Sequence, residues 1–343
     1  FLLMQTVGAV VDVPMGCGKT LIVLTFFMHI LCTFKATQMV IVTKTDVVSH
    51  LKREVFKYVP ISMRSAVKIY SYNRLPAGTT CDVLVVDESH DVYTQKKLVA
   101  LLNGSVTRRL TILLTGSAGS TREISQQWRS LVTADESISP CVFRSDLSNV
   151  IANVPEQTVE IKMSPEQTVV YRMAVENTKR CGGIGMVNAM RHLRATLSTM
   201  KVQTVGALIR RALESTPIKT KMVVFSSFNT VLTALRLELP MNVVSHCYAG
   251  SANSRQRQLE RFMSGTARVL LASTNLASHG LDLGMSRYLI HMEPPWTAVT
   301  QRQANARIAR IGQCPDQEIF VFVMQDTMET RLLASNRVDV VTF

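Results

Sequence analysis

The chain has 343 residues, 47% apolar and 18% charged. That is longer than one core usually grows and too apolar for a disordered polymer, so two folded domains of roughly 150 residues each are expected. Lys and Arg exceed Asp and Glu by 13, a positive field that favours polyanionic partners such as DNA, RNA or an acidic membrane face. Seven cysteines stand far apart without a Cys-x-x-Cys pair, which argues against structural zinc and for buried, reduced thiols in an intracellular setting.

The chain opens at Phe1 inside an apolar stretch, with neither an initiator Met nor a signal-peptide pattern, and reads as a fragment. Its first half alternates short β-type runs with helical patterns, the signature of a parallel sheet with crossover helices. Strands are expected at 7–13, 39–43, 67–71, 83–87 and 110–115, nearly continuous in Val, Ile and Leu because both faces are covered. A helix begins near Lys19. Its apolar run 21–34 contains His29 and is shorter than the roughly 20 residues of a membrane span, so it is read as a core helix. An amphipathic helix is expected over 46–58.

From about 130 to 221 helical patterns dominate, apart from a strand expected at 158–162. Ser164-Pro165-Glu166-Gln167 has a hydroxyl cap, proline at the first helical position and Gln where a capping box closes, so a helix should follow through Met173. Gly182, Gly183 and Gly185 then read as a turn. Alternation resumes with strands at 222–226, 243–247, 269–272, 288–292 and 319–323 and helices at 255–263 and 299–308. The fold class is therefore α/β: a first lobe over 1–150, a linker and small helical insertion over 151–220, and a second lobe over 221–343.

Met15-Gly16-Cys17-Gly18-Lys19-Thr20 follows a strand and opens a helix, the context a phosphate-binding loop requires. Gly16 and Gly18 let main-chain amides wrap phosphate oxygens, and the helix N-terminus adds its positive dipole end. Lys19 would neutralise the β- and γ-phosphates of ATP, and the Thr20 hydroxyl would ligate Mg²⁺. The strict pattern asks for glycine where this chain has Val13.

Asp87-Glu88-Ser89-His90, a DEAH-type box, closes the apolar run 83–86 and places two carboxylates at the C-terminal edge of a buried sheet, where ligands bind in such folds. Asp87 would hold Mg²⁺ and Glu88 would orient and deprotonate the attacking water. Thr115, Gly116 and Ser117 end the next strand and could sense the state of the nucleotide, with His90 coupled to them. Arg307 and Arg310, three residues apart, fall on one helix face and could stabilise charge on the transferring phosphoryl group.

In order and approximate spacing, MGCGKT, DESH, LTGSA, LLASTNLASHGLDL and QANARIARIGQ resemble the helicase motifs of superfamily 2, and several spellings are similar to its Swi/Snf-like branch. Ser71-Tyr72-Asn73-Arg74-Leu75, Gln127-Trp128-Arg129-Ser130-Leu131, Val224-Phe225-Ser226 and the ending Arg310-Ile311-Gly312-Gln313 extend the resemblance from about Val7 to Val323. It implies two RecA-like lobes that bind ATP between them and translocate on double-stranded DNA, with RNA as a second candidate partner, in the nucleus or another DNA-containing compartment. It further implies that Gly280 and Asp282 couple the γ-phosphate to the second lobe and that Gln303 contacts nucleotide or the partner lobe. Thr43, Lys44, Ser273 and Thr274 become candidates for phosphate-backbone contacts. Trp296 matches a family tryptophan, although a core aromatic is the simpler reading.

The chain departs from the family at Val13-Pro14, at Ser117-Ala118, at His279 and at Ala309, where histidine is frequent. Short insertions suit a compact, divergent member, for which a viral source would fit. Three other readings stand beside the translocase: a strand-separating DNA or RNA helicase, a nucleic-acid-binding scaffold with a decayed ATPase, and a P-loop kinase. The kinase would have no need of the second α/β unit.

Overall fold

The computed structural model describes residues 7–13, 17–34, 38–116, 121–133, 135, 137–144, 154–274, 283–309, 314 and 316–338. The chain divides into two compact units, Phe1–Ala152 and Asn153–Phe343.

The first unit is built on a parallel six-stranded sheet in the order β3-β2-β4-β5-β1-β6, comprising β1 (Gly8–Asp12), β2 (Met39–Thr43), β3 (Val67–Ser71), β4 (Thr79–Val86), β5 (Val106–Thr115) and β6 (Val142–Arg144). Successive strand residues point to opposite faces, and both faces are covered. Ala9, Val11, Ile41, Val83, Val85 and Ile112 pack under α1 (Lys19–Phe34) and α2 (Val48–Tyr58). Val10, Val40, Val42, Leu84, Val86 and Leu113 pack under α4 (Lys96–Ser105) and α5 (Thr121–Leu131). The apolar run behind Lys19 is thus a core helix, with Val23, Leu24, Phe26 and Phe27 buried. Among the described residues no helix is long and apolar enough to cross a membrane. Gly8 is required by a close approach: a Cβ there would lie 2.5 Å from the Thr111 carbonyl oxygen and 2.8 Å from a Val132 methyl. A short helix α3 (Ser89–Val92) follows β4.

The second unit repeats the plan with a parallel sheet in the order β7-β12-β11-β8-β10-β9. Its strands are β7 (Glu156–Ile161), β8 (Met222–Ser226), β9 (Val244–His246), β10 (Val269–Ser273), β11 (Tyr288–His291) and β12 (Glu318–Met324). Its helices are α6 (Pro165–Lys179), α7 (Gly183–Met200), α8 (Val202–Ser215), α9 (Asn229–Glu238), α10 (Ala252–Met263), α11 (Ala298–Asn305) and α12 (Met328–Val338). Segment 151–220, read from sequence as linker and insertion, contributes β7 to this sheet and Val202, Val205 and Ile209 of α8 to its core.

Local rules explain several boundaries. The capping box at α6 is complete: the Gln167 amide donates to Ser164 Oγ and the Ser164 amide to Gln167 Oε1. That helix runs on past Met173 to Lys179, and Gly183, at φ +55°, opens the next. Helices α8 and α9 approach so closely that a Cβ on Gly206 would meet Glu238 Cβ at 2.8 Å. A fully buried ion pair ties α8's entry to α12: Lys201 Nζ lies 2.7 Å from Glu329 Oε2 and donates to the Phe322 carbonyl at 2.9 Å. Burial drives the Lys201 ammonium down and the Glu329 carboxyl up, and their mutual attraction opposes both.

Three sequence expectations need correction. The helix expected over 299–308 ends at Asn305, so Arg307 lies in the turn beyond it and not on a helix face. Trp296 is 46% exposed, with the Arg194 guanidinium stacked 4.1 Å from its ring centroid, and is no core aromatic. Of the cysteines only Cys17 and Cys247 are buried, whereas Cys32 and Cys181 are exposed.

Candidate functional site

The order of the first sheet decides which residues meet. Strands β2, β4, β5 and β1 are neighbours and parallel, so the segments leaving their C-terminal ends converge on one edge. β1 delivers the loop to Lys19, β2 delivers Thr43 and Lys44, β4 delivers Asp87 to Asp91, and β5 delivers Thr115 and Gly116. Met15, Gly16 and Ser117 lie outside the described residues.

Gly18 takes φ +76°, a conformation glycine adopts freely, and its carbonyl accepts the first amide bond of α1 from Ile22 at 3.0 Å. Lys19 opens the helix, half-buried, and its ammonium donates to the Val13 carbonyl at 3.1 Å. Thr20 follows, also half-buried. Cys17 is buried, and burial pushes its thiol up against the pull of Lys19.

Asp87, Ser89 and His90 of the acidic box are each bonded to their surroundings. Asp87 Oδ2 accepts from the Thr43 hydroxyl at 2.8 Å, and its main-chain carbonyl accepts from the buried Tyr72 hydroxyl. Burial and the neighbouring Glu88 charge raise the Asp87 carboxyl to about 6, against the Thr43 bond and Lys19. Glu88 sits in the left-handed region at φ 50°, ψ 48°, a strained choice for a residue with a side chain. Its Oε2 is buried and, among the described residues, makes no hydrogen bond, lying 3.5 Å from His90 Nδ1. The same His90 nitrogen is 3.0 Å from Thr115 Oγ1, which joins the two candidate coupling residues directly. Burial lowers the His90 pKa. Ser89 is buried and donates to Gln127 Oε1 at 2.8 Å. Lys44 pairs with Asp91 at 2.7 Å.

This donor set fits a magnesium nucleotide. The start of α1 supplies main-chain amides, a helix N-terminus and an ammonium for phosphate, while Thr20 and Asp87 supply the hard oxygens Mg²⁺ prefers. The orphaned Glu88 oxygen, buried without a donor, is a group that a bound water would satisfy.

In the second unit Gly280, Asp282 and Arg310 lie outside the described residues. Gln303 is half-buried on α11, and Arg307 is buried, its carbonyl accepting from the Leu283 amide at 3.0 Å. Ser273 lines a cleft of about 470 Å³ with Arg191, Arg255, Ser227, Asn229 and Thr230, and Thr274 beside it is buried. Sequence reading had selected Ser273 but not the two arginines, which come from α7 and α10 and which no motif marks.

Residues 200–312 match the model of the helicase conserved C-terminal domain. The DNA repair protein RAD5 of Candida albicans is 31% identical over 147 residues, covering 40% of this chain and 13% of that protein. The ATP-dependent helicase ULS1 of Saccharomyces cerevisiae is 26% identical over 137 residues, 38% of this chain and 8% of that protein. The chain thus spans a small fraction of the curated relatives it matches. These matches support the resemblance to the Swi/Snf-like branch of helicase superfamily 2. The Pyrococcus furiosus Hef helicase domain has the same fold, with a TM-score of 0.62 at 15% identity over 97% of this chain and 95% of that one. Two RecA-like lobes are therefore the architecture of this chain.

Proposed function

We propose that this Swi/Snf-like chain hydrolyses ATP with Mg²⁺ and couples the hydrolysis to translocation on, or remodelling of, nucleic acid, with double-stranded DNA as the favoured track. The observation that carries the reading is the Glu88 carboxylate. It lies, partly buried, at the sheet edge that also holds Lys19 and Asp87, and its buried Oε2 lacks a hydrogen-bond donor.

Lys19 and the amides around Gly18 bind and neutralise the phosphates, and Asp87 with Thr20 holds the metal that supplies further charge neutralisation. Glu88 Oε2 accepts the proton of the attacking water, and His90, bonded to Thr115, lies 3.5 Å from that oxygen. Arg307 and Arg310, with Gly280, Asp282 and Gln303, are proposed to serve the transferring phosphoryl group from the second lobe. The cleft with Arg191, Arg255 and Ser273 offers cations and hydroxyls suited to phosphate backbone, which positions a duplex without reading its sequence. A relative named as a DNA repair protein favours DNA over RNA and a DNA-containing compartment as the place of action.

The test is steady-state ATP hydrolysis without nucleic acid and with duplex DNA, single-stranded DNA or RNA, beside a Lys19→Ala control. Duplex-stimulated turnover that disappears in Lys19→Ala is the expected result. Stimulation by single strands or RNA alone would replace it with the strand-separating helicase, and tight nucleic-acid binding without hydrolysis with the scaffold.

A further inference from the structure

We propose that Lys44 and Asp91 form an exchangeable latch through which nucleic acid at the Thr43-Lys44 turn reaches the hydrolytic carboxylates; the inference rests on the function proposed above. Lys44 follows β2 and Asp91 lies on α3, immediately after the acidic box, and their charged atoms meet at 2.7 Å. One residue earlier, the Thr43 hydroxyl holds Asp87 Oδ2 at 2.8 Å. The turn offered to a phosphate backbone is therefore bonded twice to the segment that performs hydrolysis.

The fold does not need the ion pair. The α3 turn is closed by the Asp91 amide donating to the Glu88 carbonyl at 2.9 Å, and the Asp91 carbonyl accepts from Gln95 Nε2 at 2.8 Å. The Lys44 turn is closed by the Val47 amide on the Lys44 carbonyl at 3.0 Å. The side chains of Lys44 and Asp91 are 35% and 40% exposed, so solvent screens their attraction. A weak, reachable pair is one that a phosphate anion can replace, whereas a buried pair such as Lys201 with Glu329 is not.

Exchange has a route onward. Asp91 Oδ1 is 3.8 Å from His90 Nε2, a buried nitrogen that makes no hydrogen bond among the described residues. Once Lys44 turns to phosphate, Asp91 is left to accept from His90 Nε2–H. That proton position fixes the ring's tautomer with Nδ1 as acceptor for the Thr115 hydroxyl, beside Glu88. Asp91 is thus a positioning residue: it acts on hydrolysis through Lys44 and His90 and touches no substrate.

The experiment measures duplex-DNA affinity at low salt, and ATP turnover with and without duplex, in wild type, Asp91→Asn, Lys44→Ala and the double variant. Asp91→Asn frees Lys44 and is expected to tighten DNA binding about two- to five-fold, the range an exposed ion pair allows. The ratio of stimulated to unstimulated turnover should fall at least about two-fold because the switch no longer has two positions. In the Lys44→Ala background the same substitution should leave affinity nearly unchanged. Equal tightening in both backgrounds would mean a general loss of negative charge and overturn the latch, as would unchanged affinity in Asp91→Asn. A wild-type chain that neither binds duplex nor responds to it overturns the proposed function along with the latch, so the two failures are distinct.

Discussion

At the scale of single residues, the hydrolytic assignment turns on Glu88. Replacing it with Gln keeps volume and hydrogen-bonding capacity but removes the base, so ATP turnover should fall about 10²–10⁴-fold while nucleotide affinity is retained. Single-turnover hydrolysis beside an equilibrium nucleotide titration separates the two effects, and parallel losses in both would return Glu88 to a structural role. The glycine before α1 and the carboxylates after β4 were legible in the sequence because each is a local device, a turn before a helix and acids at a strand's end. The Tyr72 hydroxyl on the Asp87 carbonyl, Gln127 on Ser89 and Lys44 on Asp91 were not legible as contacts. Each depends on which strands lie side by side, and no spacing along the chain encodes that neighbourhood.

At the scale of elements, short apolar runs located the strands well, with 39–43, 67–71 and 222–226 matching β2, β3 and β8 at both ends. Short β6 escaped because three residues carry no period, and α5 escaped because its apolar face is held by few residues, chiefly Ile124, Trp128 and Leu131. The Arg307 helix stopped early: His291 Nε2 meets Asn305 Oδ1 at 2.9 Å and Asn305 donates to Glu156 at 2.8 Å, bonds that hold the helix's last residue to β11 and β7. Helix packing yields its own prediction. Gly206→Val forces α8 away from α9 and should destabilise the fold by about 1–3 kcal/mol, read from a denaturant midpoint. Gly104→Ala, in a helix with open space where the Cβ would go, should instead raise stability by about 0.4–1 kcal/mol. Equal effects from the two would remove the close-contact argument.

At the scale of the whole molecule, the excess of 13 positive charges and the proposed function together predict a nucleic-acid affinity that falls with salt. Each phosphate neutralised contributes about −0.9 to the slope of log affinity against log salt on duplex DNA. Arg255→Ala, at the cleft shared with Arg191 and Ser273, should flatten that slope by about one and weaken binding alike on unrelated sequences. A salt titration on two duplexes of different sequence checks both parts. A loss confined to one duplex would point to base reading instead.

The sheet order of the second unit has a consequence for how the chain is made. β7 opens that unit, yet its partner β12 comes almost at its end and slots between β7 and β11. While a ribosome is still emitting the chain, β7 and β11 both present unpaired backbone, and each is a template for a neighbouring chain on the same message. Closure of this lobe therefore waits for β12, and the interval before that strand emerges is when both edges lie open to a wrong partner.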